Sequence, residues 1–183
     1  MKILILCTGN SCRSQMAHGF LQSFDKNIQV FSASTHPAKK VNPLAIEAMA
    51  EVGIDISKHI PTDVAVYLDD TWDYVITVCD SAKETCPAFA GKVGKRLHIR
   101  FEDPSTAVGT IDFIRSEFAR VRNAIKNEFT KFYITEIKYP MISTKIIIDY
   151  SNAKSRILQI LMNPMSLIIS FIKCLLLRQI MII

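Results

Sequence analysis

Three features of this sequence place reactive side chains where chemistry can use them. The first is Cys7-Thr8-Gly9-Asn10-Ser11-Cys12-Arg13-Ser14, of the form C-x5-R-S, lying between an apolar run and a helical pattern. A loop of this length can turn successive backbone N–H groups inward around a tetrahedral oxyanion, and a helix starting at its end adds partial positive charge. The same field favours a thiolate, so Cys7 is expected to have a lowered pKa and to be the nucleophile. Arg13 offers a planar fork for two oxyanion oxygens that lysine could not reproduce. Ser14 is expected to donate a hydrogen bond to the sulfur, and Gly9 to supply a positive φ if the turn requires one. Residues Thr8 to Ser14 form the expected oxyanion-binding set. A bare C-x5-R arises often by chance, and the flanking strand and helix patterns give this one its meaning.

The second feature is Phe101-Glu-Asp-Pro104. Proline fixes the backbone just after Asp103, which suits a loop that presents a carboxyl group in one pose. An oxygen leaving a tetrahedral centre needs a proton, and a carboxylic acid above Cys7 can give it. Glu102 is the neighbour most easily confused with Asp103. The third feature is the pair Cys79 and Cys86, seven residues apart. That is not a usual zinc spacing and no second Cys or His pair lies close in sequence, so no metal site is expected from it.

The elements that must position these groups can be read from apolar patterning. Ile3 to Leu6 is a continuous apolar run, as in a parallel strand buried on both faces. Met16, Ala17, Phe20, Leu21 and Phe24 then form a helical stripe, predicting a helix from about Ser14. Ile28 to Ser32 reads as a second strand. Asn42-Pro43 places an N-cap before a proline suited to the first helical position, in a helix ending near Gly53. Asp73 to Cys79 reads as a third strand and Arg96 to Phe101 as a fourth. Ile111, Ile114, Phe118, Val121, Ile125 and Phe129 predict a last amphipathic helix. Strands alternating with helices indicate an α/β sheet, whose ligands sit beyond the carboxyl ends of the strands. Cys7, Cys79 and the Asp103 loop all fall there.

The stretch CTGNSCRSQMA resembles the signature loop of the thioredoxin-coupled arsenate reductases, relatives of the low-molecular-weight protein tyrosine phosphatases. The resemblance covers about Met1 to Phe132. It implies a four-stranded parallel sheet flanked by helices, with Asp103 at the family's place for the acid. It also implies that Cys79 and Cys86 are the second and third redox cysteines of a relay begun by Cys7 and regenerated by thioredoxin. The phosphatase relatives lack that pair. Cys12 stands where the family also has a cysteine and is expected to support the loop or to take part in minor redox chemistry, without an essential role. Some members bind potassium through Asn10, a serine matching Ser32 and acidic side chains; here the acid expected after Met16-Ala17 is His18, which puts that ion in doubt. No other cofactor is implied. The first rival reading is a phosphatase, for which Cys7, Arg13 and Asp103 suffice. Against it, Pro104 is followed by Ser105-Thr106, without the aromatic residues that line the phosphotyrosine cleft of the relatives. The second is a non-enzymatic oxyanion-binding or redox-sensing module, which would need neither acid nor relay.

Composition agrees with a catalytic thiol protein. Five cysteines in 183 residues do not make a secreted disulfide framework. The run before Cys7 is too short for a signal-peptide core, and we expect a cytoplasmic protein. The formal charge of +5 resides in the C-terminal part: residues 1–129 carry 15 basic and 15 acidic residues, and residues 130–183 carry 7 and 2. A body without net charge gives no support to nucleic-acid binding. We therefore expect one domain over residues 1–132 and an atypical apolar, basic tail over residues 133–183, with Cys174 unassigned. Ile157 to Ile172 lacks charge, yet Pro164 interrupts it and it falls short of a spanning helix. Three readings of the tail stay open: a membrane-surface or re-entrant segment, the weakest of them; a helix added to the core; or a non-native extension such as a frameshift would give.

Overall fold

Ile3, Leu4 and Ile5 are fully buried, and their strand runs through the middle of a sheet. Each such side chain contributes about 1.5–3 kcal/mol by leaving water. The computed structural model describes residues 1–80, 82 and 87–140. Four strands, β1 (Lys2–Leu6), β2 (Gln29–Ala33), β3 (Trp72–Thr77) and β4 (Val93–His98), lie in the order β2-β1-β3-β4. All three pairings are parallel. Three helices accompany them among the described residues: α1 (Arg13–Phe24), α2 (Pro43–Ala50) and α3 (Ile111–Phe132). The expected four-stranded parallel α/β sheet is therefore what the chain forms.

Local signals explain most boundaries. Asn42 caps α2 by accepting from the Leu44 N–H at 2.9 Å, with Pro43 at the first helical position as expected. Along α3, Phe118, Val121, Ile125 and Phe129 are buried, and the helix packs on α1 and α2. Its first turn faces outward, with Ile111 and Phe113 exposed. Arg122 ties α3 to α2, donating to Ala48 O at 2.7 Å and pairing with Glu51. Trp72 is core: Phe31 and Tyr67 meet its ring edge-to-face, and the Lys2 ammonium lies 4.9 Å from the ring centroid.

The fourth strand is a correction. Arg96 to Phe101 was the expected span, whereas β4 begins at Val93 and ends at His98. It is the edge strand, and Gly94, Lys95 and Arg96 are exposed, so it lacks the apolar run that marks a central strand. Gly94 is required there, because a Cβ would sit 2.8 Å from the Asp73 carbonyl oxygen.

Backbone hydrogen bonds stitch the strand ends into one floor. Cys7 N donates to Ala33 O, Val78 N to Leu6 O and Phe101 N to Val78 O, at 2.9–3.2 Å. The chain divides after Tyr133 into the units Met1–Tyr133 and Ile134–Ile183. A π-helical turn covers Tyr133–Lys138. Cys86, Cys174 and the tail from residue 141 onward lie outside the described residues, and so do the expectations placed on them.

Candidate active site

Cys7 leaves β1 buried, and the next six residues wrap back to the start of α1. Among the described residues, the only non-glycine with a positive φ is Asn10, at 50°. The expected positive φ at Gly9 is thus corrected by one residue. A Cβ at Gly9 would meet only ordinary contacts at 3.8 Å and beyond. Asparagine tolerates the left-handed region because its short amide can bond locally, and here every polar atom of that amide is engaged. Asn10 Nδ2 donates to Ser14 Oγ at 2.8 Å, and Asn10 Oδ1 accepts from Thr62 N at 2.9 Å and Gln15 Nε2 at 3.1 Å. Gln15 Nε2 also donates to Asn10 O at 2.9 Å. Outside support comes from Ala38 N to Gly9 O and Asn42 N to Ser11 O. Ser14 therefore braces Asn10; among the described residues it makes no hydrogen bond to the Cys7 sulfur, contrary to expectation.

Arg13 opens α1 and is 7% exposed. Its Nη1 donates to Phe101 O at 3.1 Å and its Nη2 pairs with Asp103 Oδ2. Its Nε–H is buried and has no partner among the described residues. Leaving a buried donor unpaired costs about 1–3 kcal/mol, so this group is set to meet an acceptor brought from outside. Asp103 caps the short 3-10 turn Pro104–Thr106, with its Oδ1 accepting from Ser105 N and Ser105 Oγ. Glu102 points elsewhere, pairing with Arg120 in the open. The geometry thus distinguishes the two adjacent carboxylates: Asp103 faces Arg13 and Glu102 does not.

Cys79 is buried just beyond β3, where Thr8 Oγ1 lies 3.1 Å from its sulfur. Cys7 and Cys79 titrate as a pair. Cys79 is lowered to about 5 by its interaction with Cys7, with further help from Thr8, the Ala82 N–H and Arg13 against the cost of burial. Cys7 is pushed well above the ordinary thiol range by its interaction with Cys79 and by burial, against the opposing pull of Arg13. The loop acts on Cys7 in the expected direction, through Arg13 and the Gly9 N–H, but burial and the interaction with Cys79 act against it and are larger. Cys12 is raised to about 11 by burial and is inert in this state. Cys7, Cys12 and Cys79 are all free thiols.

Beneath the loop, His18 Nδ1 lies 3.3 Å from Ser32 Oγ. Its ring packs against His59 at 4.4 Å between centroids, tilted by 37°. His59 Nδ1 lies 2.9 Å from Gln15 Oε1. Burial lowers the His18 pKa to about 4, with a contribution from His59, and burial also lowers that of His59. Gln15, His59 and Thr62 were not singled out from the sequence. Gln15 stands beside the motif, but nothing in the spacing of His59 and Thr62 signals that their loop returns under Asn10. No group of three or more His, Cys, Asp or Glu side chains able to hold a metal ion occurs among the described residues.

Comparison with known proteins adds to this geometry. Residues 2–140 match the family described as low molecular weight phosphotyrosine protein phosphatase. A relative named arsenate reductase, from Shouchella clausii, is 43% identical over 131 residues, covering 71% of this chain and 93% of that protein. The solved structure of an arsenate reductase in the phosphate binding state is 30% identical, with a TM-score of 0.56 over 71% of this chain and 97% of that one. That of an arsenate reductase in oxidized state is 29% identical, with a TM-score of 0.61 over 71% and 94%.

Proposed function

The chain belongs to the low molecular weight phosphotyrosine protein phosphatase family, and from that premise we propose that it is an arsenate reductase running a three-cysteine relay recharged by thioredoxin. The observation that carries the reading is Cys79, a second buried cysteine whose sulfur lies 3.1 Å from Thr8 Oγ1 of the oxyanion loop and whose titration is coupled to that of Cys7. A phosphatase of this design needs Cys7, Arg13 and Asp103 but has no use for a second buried thiol there. The similarity to proteins named arsenate reductase supports the same choice.

Arsenate enters the loop and takes the place of the Asp103 carboxylate on Arg13, with the unpartnered Nε–H as a further donor. The proton shared by the sulfurs moves to Cys79, and Cys7 attacks arsenic as a thiolate. Asp103, freed from Arg13, takes up a proton from solvent and passes it to the departing oxygen, which leaves as water. Cys79 then loses its proton and attacks the Cys7 sulfur. The sulfur–arsenic bond breaks with its electron pair going to arsenic, so As(V) becomes As(III) and leaves as arsenite. Cys86 attacks Cys79 and releases Cys7, and the resulting Cys79–Cys86 disulfide is reduced by the dithiol of thioredoxin. This chemistry belongs in a reducing cytoplasm, where it would serve arsenic detoxification.

Cys79→Ser tests the reading within one protein. Hydrolysis of an activated aryl phosphate should persist near the parent rate, while arsenite release should cease. Cys86→Ser should give a single arsenite per chain and then a Cys7–Cys79 disulfide, visible by mass spectrometry after proteolysis. Sustained thioredoxin-dependent turnover in Cys79→Ser would sink the relay and favour the phosphatase reading. Turnover of the parent protein with glutathione and glutaredoxin but not thioredoxin would overturn the choice of reductant.

A further inference from the structure

The shape of the oxyanion loop depends on Asn10, a buried residue in the left-handed region, and what holds Asn10 is the layer beneath it. The resemblance noted in the sequence would put a potassium ion in that layer, bound by Asn10, Ser32 and acidic side chains. A hard cation of this kind needs several free oxygens, carbonyl or carboxylate, in place of its water. The oxygens of Asn10 and Ser32, the ligands the resemblance names, are already engaged. Asn10 Oδ1 accepts from both Thr62 N and Gln15 Nε2, and Asn10 O accepts from Gln15 Nε2. Ser32 Oγ is bonded to His18. The position where an acid was expected carries His18, and its partner across the layer is His59. The carboxylate with an electrostatic influence on His59 is that of Asp55, which is exposed and turned onto Ser57.

We propose that the packed His18–His59 pair replaces a bound cation beneath the oxyanion loop and acts as its brace, making His18 and His59 positioning residues for oxyanion binding. The path is continuous. An amide oxygen can only accept, so His59 Nδ1–H donates to Gln15 Oε1. This orients the Gln15 amide so that its N–H groups reach both oxygens of Asn10, and Asn10 in turn holds Ser14 at the mouth of α1. His18 fixes the other side by packing against His59 and bonding Ser32 of β2. Imidazole is also a poor ligand for a hard alkali cation. The layer is thus built to exclude the ion and to do its positioning by hydrogen bonds.

Inorganic phosphate is the probe, because its binding needs the loop but none of the redox steps. A failure of this proposal is therefore distinguishable from a failure of the reductase reading. The reduced full-length protein would be titrated with phosphate, and its thermal midpoint followed, in potassium, sodium and choline chloride at equal ionic strength. The three salts should give the same phosphate Kd and Tm. A potassium-specific rise in Tm or tightening of phosphate would overturn the proposal. His59→Ala, which breaks the bond to Gln15, should weaken phosphate about five- to tenfold, the loss of roughly one hydrogen bond. His59→Gln, which can still donate, should recover most of that loss. Unchanged affinity in His59→Ala, or equal weakening in both variants, would show that His59 merely fills space and would reject the brace. If His59→Ala does not fold, as judged by circular dichroism, the salt series on the parent and the phosphate affinity of His59→Gln still decide.

Discussion

Asp103 holds two roles that compete at the scale of the single residue. Its carboxylate is paired with Arg13 in the substrate-free state, yet the proposed acid must let that guanidinium go when an oxyanion arrives. Asp103→Asn removes the competing charge and the proton donor together. We expect kcat for arsenate to fall by about 10²–10⁴, the usual worth of a general acid, while phosphate, measured as a competitive inhibitor, binds more tightly than to the parent. A fall in kcat with weaker phosphate binding would mean that Asp103 helps to hold the anion. This antagonism could not be read from sequence, where Phe101-Glu-Asp-Pro104 shows two carboxylates and no partner for either. Motif and loop chemistry singled out Cys7, Arg13 and Asp103 and the family resemblance singled out Cys79, and the structure brings these four to one end of the sheet. The coupling between the two thiols was not legible, because it depends on how the ends of β1 and β3 meet in space.

At the scale of elements, the patterns that succeeded were those of buried segments, and those that failed belong to edges and returns. Helix α1 and strand β1 announce themselves by apolar spacing, whereas β4 is an exposed edge and the loop carrying His59 has no period at all. That loop closes against α1 through His18, and the contact makes a prediction about acid stability. The folded-state pKa of His18 is about 4 against 6.5 for the free group. Above pH 6.5 both folded and unfolded chains hold the ring neutral, so nothing is lost. Between 6.5 and 4 the unfolded chain takes up the proton first, and stability falls with pH, by about 3 kcal/mol at most. His59, lowered in the same direction, adds to the trend, and Asp55 beside it opposes the shift. Tm should therefore drop between pH 6.5 and 4.5, a window above the titration of most carboxylates. His18→Gln should flatten that slope even if its Tm is lower throughout. An equally steep slope in His18→Gln would remove His18 as the cause.

At the scale of the whole molecule, every group assigned a role other than Cys86 lies among the described residues of the first unit, Met1–Tyr133, and Cys86 falls within its bounds in sequence. The family match ends at residue 140, and no helix among the described residues is long and apolar enough to cross a membrane. The sequence placed the end of the domain at Phe132, on the reach of the family resemblance and the change of composition after it. The packing argues for keeping one residue more. Phe132 is buried against Tyr74 and Phe129, and Tyr133 rests on Phe24 of α1 at 5.6 Å between ring centroids. Aromatic contacts of this kind contribute about 0.5–1.5 kcal/mol beyond the area they bury. A chain shortened after Tyr133 should fold cooperatively, bind phosphate with the affinity of the full chain and sustain arsenate turnover with thioredoxin. One shortened after Phe132 should keep the same activity but melt a few degrees lower, since about 1 kcal/mol in a domain of this size moves Tm by roughly 2–8 °C. If the chain ending at Tyr133 is unfolded or inactive, the residues after it complete the core. Sedimentation of the full chain, but not the shortened one, with vesicles of acidic lipid would assign them instead to a membrane surface.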